Sequence, residues 1–271
     1  MVSKKILFIL AILSFVTTDL LSDDLLSKNS CYANNDPNKI EKLQIENLSL
    51  EFLDNKKWVK NLFNIHKEFE KQKYESEHKN WFSNFRINDK YKKKFGARVF
   101  VKFLGYQKCY FKAQVRVTGD LWWHLNWKKG SPISSLHIKL LDGNLYNITQ
   151  FKLFLKEARY GQNEVFIANL FKELEFISPK TFFVNARINN VNHEYIFQED
   201  IKKELLESSF YREGPLLEGD ERFTVDLTEA ERENFPAINF ARIINKNFLK
   251  KNYSNSIAGL EAISNVNKFI I

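Results

Sequence analysis

Residues 151–176, FKLFLKEARYGQNEVFIANLFKELEF, change their hydrophobic period in the middle of the stretch. Alternate residues from Phe151 to Leu155 are apolar, which predicts a strand with one buried face and with Lys152 on the other face. The apolar residues that follow recur every three or four positions, which predicts a helix beginning at Asn163. The stretch therefore predicts a strand that leads directly into a helix.

The ends of this helix carry recognisable signals. Asn163 is a suitable N-cap residue, and Glu164 places a negative charge in the first turn, where it favours the helix dipole. The helix is expected to end before Pro179, because the residue that precedes a proline avoids the helical region.

The surrounding segments alternate in the β sense and predict an α+β fold. Four strands precede the helix, a hairpin of two strands follows it, and a second helix begins at Asp200. The predicted strands lie at residues 97–105, 109–120, 134–143, 148–157, 181–190 and 193–200. We expect an antiparallel sheet of five or six strands with one helix packed on it.

The N-terminal part predicts export. Lys4 and Lys5 precede an apolar run from Ile6 to Val16, the pattern of a signal peptide or, without cleavage, of a signal anchor. Residues 1–22 are assigned to this segment, and the protein is expected in the periplasm, the cell envelope or the extracellular space. We expect membrane contact only through this segment.

Residues 23–94 are interpreted as a linker and an accessory segment. Within them, residues 39–80 predict a strand or two followed by an amphipathic helix. The chain has two cysteines, Cys31 and Cys109, which pair in one interpretation, whereas in the other Cys31 stays unpaired.

The amino-acid composition and net charge limit the kinds of molecule that this protein is expected to bind. The chain has 271 residues, 44% of them hydrophobic, and a formal net charge of +8, which fits a globular protein that favours acidic partners. No G-x-S-x-G, H-E-x-x-H, Walker-A or EF-hand motif is present. His124 and His137 without a third ligand do not predict a metal site.

Short motifs between residues 109 and 220 resemble those of the spore-coat protein H (CotH) kinase family. The stretches that carry the resemblance are QVRVTGD, SSLHIKL, the 151–190 region and HEYIFQED. The matching positions are Arg116 and Gly119, Lys139, Asn163 and Glu164, Pro179 and Lys180, Asn189 and Asn190, and Tyr195 and Glu199.

The resemblance implies the small lobe of an atypical protein kinase over residues 95–222. In such a lobe a strand lysine holds the phosphates of ATP, and a helix glutamate holds the lysine. Lys152 and Lys139 compete for the first role, Glu164 and Glu173 compete for the second, and Glu199 matches the last motif. ATP with Mg²⁺ and a secreted or envelope protein substrate follow from the resemblance.

The chain departs from the family after this region. Only 71 residues follow Asp200, and the last aspartate is Asp226. Residues 223–271 are interpreted as the start of a C-terminal helical region, and the sequence is expected to be the N-terminal part of a kinase. No catalytic residue is assigned.

A second function is predicted by a tryptophan-rich loop. Trp122, Trp123 and Trp127 precede Lys128 and Lys129, so the loop offers rings for stacking and charges for acidic groups. The alternative function is a noncatalytic exported module that binds an acidic glycan or a peptide. The same tryptophans also fit a packing role at the end of the sheet. Nucleic acid is not an expected partner, because no RNA-binding motif is present.

Overall fold

The computed structural model describes residues 44–77, 86–104, 108–219 and 241–270. The predicted signal segment 1–22, Cys31, Asp220 and Asp226 lie outside these described residues. Within them, no helix is both long and apolar enough to cross a lipid bilayer.

Seven strands form a closed barrel. Each predicted strand is present, and strands such as Phe95–Phe103 and Leu136–Leu140 bury alternate residues, as expected for strands whose inner face forms the core. The barrel strands are β1 (Ile45–Phe52), β2 (Phe95–Phe103), β3 (Lys108–Val117), β6 (Leu136–Leu140), β7 (Gln150–Leu155), β8 (Thr181–Ile188) and β9 (Val191–Glu199).

The barrel is closed by the first strand. Neighbouring strands follow the order β1, β2, β3, β6, β7, β9, β8, and the ring is completed by a pair between β8 and β1. That pair is parallel and aligns Leu48 with Ala186 and Leu50 with Ile188, whereas the other pairs of the ring are antiparallel.

The predicted α+β fold, an antiparallel sheet of five or six strands with a packed helix as in a kinase small lobe, is therefore wrong. Residues 45–52, which the sequence analysis set apart from the sheet, pair with β2 on one side and with β8 on the other. Pairing on both sides removes the free edges that an open sheet has.

The barrel interior is a packed apolar core. Phe197 stacks on both Phe151 and Phe182, with a ring-centroid distance of 4.6 Å in each case. Stacked aromatic rings of this kind add to the energy of area burial. The largest fully buried side chains of the barrel strands are Leu48, Leu136, Ile138, Phe151, Leu153, Leu155, Tyr195, Ile196 and Phe197.

The hairpin between β8 and β9 has the turn that its sequence predicts. Asn189 and Asn190 both have positive φ, at 50° and 63°. Two successive residues with positive φ match the right-handed twist of a hairpin, and asparagine tolerates this conformation.

Helices and short strands surround the barrel. They are α1 (Asn55–Glu77), β4 (Leu125–Lys128), β5 (Ser131–Ser134), α2 (Gln162–Glu173), α3 (Lys203–Ser208), β10 (Leu217–Glu218), β11 (Arg242–Ile243), α4 (Lys246–Leu249) and α5 (Tyr253–Ile270). Helix α1 is anchored by Trp58, which is fully buried and stacks on Phe52 at a centroid distance of 4.2 Å.

Helix α2, predicted to pack on the sheet, contains no buried residue. It begins at Gln162, one residue before the predicted start. Several of its apolar side chains are exposed, among them Phe166, Ile167 and Phe171.

Cys109, at the start of β3, is disulfide-bonded.

Candidate functional site

A row of polar side chains crosses four strands on the outer face of the barrel. Arg116 on β3 pairs with His137 on β6, His137 with Lys152 on β7, and Lys152 with Gln198 on β9. Their neighbours along each strand, such as Val115 and Ile138, are buried in the barrel, so these four alternate to the outside.

Three residues of the row, Arg116, His137 and Lys152, form the floor of a large cleft. The cleft has a volume of about 1170 Å³. Its walls come from the turn around Gly119 to His124, from the segment Glu157 to Tyr160, and from the stretch Arg242 to Ile244. The closed barrel therefore offers its outer surface, and not its packed interior, as a binding site.

Asp200, directly after β9, organises the centre of the cleft. It is 8% exposed, and its carboxylate lies 3.2 Å from His137 Nε2, 3.2 Å from Lys152 Nζ and 3.6 Å from Lys202 Nζ. Burial alone raises the pKa of a carboxyl group, but the hydrogen bond from His137 and the charge of Lys152 outweigh burial and hold the pKa of Asp200 well below its usual range.

His137 is the neutral donor in this group. Burial lowers its pKa, and this effect outweighs the hydrogen bond with Asp200, which acts in the opposite direction. The imidazole is therefore neutral at pH 7, and its Nε2–H donates to the Asp200 carboxylate.

The cleft has a surplus of positive charge. Seven basic and five acidic side chains of the described residues line it. Four of the acids form ion pairs: Lys92–Asp120, Lys152–Asp200, Arg159–Glu164 and Arg242–Glu218. Arg116 and Lys246 form no ion pair with a described residue, so no described carboxylate competes with a ligand for these two cations.

The structure separates the two lysines that compete in the sequence. Lys152 lines the cleft, whereas Lys139 is exposed on the next outward-facing position of β6 and does not line it. Glu164 also lines the cleft, but it does not pair with Lys152. It contacts Arg159 at 3.3 Å and accepts a hydrogen bond of 2.7 Å from Gln198 Nε2.

Glu199 is placed away from the other predicted site residues. It follows Gln198 on β9, and strand alternation turns it toward the opposite side of the sheet. Its side chain is buried, accepts the Lys180 backbone N–H at 3.2 Å, and has a pKa that burial raises. Glu199 does not line the cleft.

Two of the three tryptophans pack against helix α1. Trp122 stacks on Phe69, and the Trp127 ring contacts Phe63 and donates from Nε1 to His66 Nδ1 at 3.0 Å. They remain 44% and 45% exposed. Trp123 instead lines the cleft, so the structure divides the predicted stacking set between two places.

Several cleft residues were not predicted as site residues. The sequence predicts Asp200 as the start of a helix, which in the structure begins at Lys203, and the family resemblance points to its neighbour Glu199 instead. The sequence signal for the row is that Arg116, His137 and Lys152 each occupy an outward-facing position in the alternation of their strands. Arg242 and Lys246 gave no signal, because their approach to the cleft depends on the chain path after β9.

The cleft suits phosphate groups better than a divalent cation. Mg²⁺ favours free carboxylate oxygens, whereas four of the acids that line the cleft are engaged by lysine or arginine. Among the described residues, no group of three His, Cys, Asp or Glu side chains is arranged to hold a metal ion. Phosphate oxygens match the guanidinium of Arg116 and the ammonium of Lys152.

The comparisons with known proteins give no family for this chain. No protein-family model matches it, and no curated protein is significantly similar to it in sequence.

Proposed function

We propose that this chain is an exported protein that binds a phosphorylated small molecule in the outer cleft of its barrel. The observation that carries the proposal is Arg116, a cation without an ion-pair partner among the described residues, held in one cross-strand row with Lys152. Export rests on the leader-like segment 1–22.

Two features of the row favour a phosphate group as the ligand. Arginine offers a planar fork of N–H donors and lysine a compact charge, the two groups that proteins use most for phosphate. The strand backbone fixes the spacing of the two side chains, so little ordering is needed on binding. The resemblance to CotH kinases agrees with a nucleotide as the phosphorylated ligand, and phosphate transfer remains an expectation of that resemblance alone.

Calorimetric titration with ATP, pyrophosphate and adenosine tests the proposal. We expect saturable binding of ATP and pyrophosphate and none of adenosine, because the contacts go to phosphate oxygens. Lys152→Ala is expected to weaken the binding of pyrophosphate by roughly tenfold or more, the effect of one charge-assisted hydrogen bond.

Lys139→Ala is the matched control. It removes the same charge from the same outer face, but from a position outside the cleft. Equal weakening by both variants would show that the net charge of +8 attracts the anion without a defined site. Failure of the wild-type protein to bind either phosphate compound would overturn the proposal.

An acidic oligosaccharide distinguishes the alternative partner. Uronic-acid carboxylates also attract cations, so a hexauronate is titrated beside pyrophosphate. Tighter binding of the hexauronate, lost in Trp127→Ala and kept in Lys152→Ala, would favour the tryptophan-loop function over the cleft.

A further inference from the structure

A buried histidine on the cleft wall has its proton fixed by its neighbours. His124 Nδ1 lies 3.0 Å from Ser135 Oγ, and that oxygen already accepts the Leu155 backbone N–H at 3.0 Å. Ser135 is 0% exposed, so its own hydrogen needs a protein acceptor, and Nδ1 is the one within reach. A neutral imidazole that accepts at Nδ1 carries its proton on Nε2.

This pair is not a catalytic dyad of the serine-nucleophile type. Such a nucleophile must reach a substrate, whereas Ser135 is enclosed and uses its oxygen to hold the backbone of β7 and the imidazole. Ser135 is therefore a positioning residue for His124.

Gly119 leaves room for the ring edge that carries Nε2. A Cβ atom at position 119 would lie 2.0 Å from His124 Cδ2 and 2.5 Å from Nε2, distances that no side chain tolerates. Gly119 also has a φ of +88°, which favours glycine. The imidazole thus lies directly on bare backbone at the cleft wall, and Nε2 has no hydrogen-bond partner among the described residues.

The ring shares a neighbour, Phe154, with two cations of the cleft. The His124 and Phe154 ring centroids are 5.8 Å apart, and the same phenyl ring has Lys152 Nζ at 5.9 Å and Arg159 Cζ at 4.7 Å. Burial first, and the charge of Arg159 second, lower the pKa of His124 to about 4, so the imidazole stays neutral beside these cations at pH 7.

We propose that His124 is a ligand-binding residue whose Nε2–H donates to a phosphate oxygen held beside Lys152 and Arg159. The proposal rests on the proposed function, and it adds an uncharged, directional donor to the cations that the proposed function assigns to phosphate. Ser135 and Gly119 set the direction of that donor.

Nitrogen-15 NMR of the histidine side chains, with pyrophosphate as the probe, tests this assignment. Spectra of His124→Gln identify the His124 signals. We expect the Nε2–H tautomer in the free protein and a shift of the Nε2 signal that saturates with the calorimetric binding curve. Ser135→Ala is expected to produce a mixture of tautomers, which a purely structural role of Ser135 would not produce.

Affinity measurements complete the test. His124→Phe keeps a ring but has no donor, and we expect it to weaken the binding of pyrophosphate by roughly tenfold. His124→Gln keeps an N–H donor and is expected to recover part of the affinity.

Two results would overturn the inference in distinguishable ways. If pyrophosphate binds and the His124 Nε2 signal does not move, the proposed function stands and the role of His124 falls. If pyrophosphate does not bind to the wild-type protein at all, the proposed function and this inference fall together.

Discussion

His124 makes the stability of the folded protein depend on pH. Its pKa is lowered from 6.5 to about 4 by burial and by Arg159, with Lys92 and Lys152 acting in the same direction and Asp120 against them. Because the unfolded chain binds the proton more tightly, stability from this residue is present above pH 6.5 and is lost as the pH falls toward 4. The shift corresponds to about 3 kcal/mol.

We therefore expect the free energy of unfolding to fall between pH 7 and pH 4.5, and to fall less in His124→Gln. Urea unfolding at the two pH values measures both. Burial also lowers the pKa of His66, His137 and His193, so the variant retains part of the dependence. An identical pH dependence in the variant and the wild-type protein would contradict a neutral, buried His124.

At the scale of single residues, some members of the site could be predicted from the sequence and others could not. Lys152 was predictable, because its outward position on a strand beside a helix start follows from hydrophobic period alone. Asp200 was not, because its role depends on His137 and Lys152, which are distant in sequence and adjacent only in the folded sheet. Glu164 lines the cleft and its ion-pair partner is Arg159, whereas the resemblance implied a lysine, Lys152 or Lys139, as the partner.

At the scale of elements, helix α1 and the β4–β5 hairpin are joined by aromatic contacts. Trp127 contacts Phe63 and donates to His66, while Trp122, in the turn just before the hairpin, stacks on Phe69. These contacts connect two elements that lie far apart in sequence.

Trp127→Ala is expected to lower the free energy of unfolding by about 2 kcal/mol, because it removes a half-exposed ring and one hydrogen bond. The affinity for pyrophosphate is expected to stay within twofold, since Trp127 does not line the cleft. Lys129→Gln, an exposed change on the same hairpin, is the control for stability. Unchanged stability combined with lost glycan binding would instead support the stacking role of the loop.

Hydrophobic period predicted the elements better than their assembly. The strands from β2 to β9 that form the barrel and the helices α1 and α2 lie close to their predicted positions, since local alternation is visible in one segment at a time. The sequence predicts a loop where the structure has the β4–β5 hairpin, because strands of four residues each give too short an alternation to recognise. The pairing of strands depends on segments that are distant in sequence, so the local hydrophobic pattern does not predict it.

At the scale of the whole molecule, closure of the barrel depends on β1. Leu48 is 0% exposed and belongs to the parallel pair with β8, whereas Leu53, just after the strand, is 71% exposed. The two leucines thus differ in burial while lying five positions apart. Alanine substitutions of these two leucines therefore form a matched pair, one at a buried and one at an exposed position.

Leu48→Ala is expected to lower the free energy of unfolding by about 2–5 kcal/mol, the cost of a cavity left by a buried leucine. Leu53→Ala is expected to change it by less than about 0.5 kcal/mol. Chemical denaturation of both variants measures the difference. Similar losses of stability in the two variants would mean that β1 is not packed as a strand of the barrel.

The position of β1 also sets an order of events during synthesis. Leu48 leaves the ribosome long before its partner Ala186, and at usual rates of translation roughly ten seconds separate them. Until then one edge of the first strand has no neighbour, and an unpaired edge is a template for wrong association. Among the barrel strands, β1 is thus synthesised first but is one of the last to gain both of its neighbouring strands. The segment around Leu48 is therefore the place where a chaperone would help the nascent chain most.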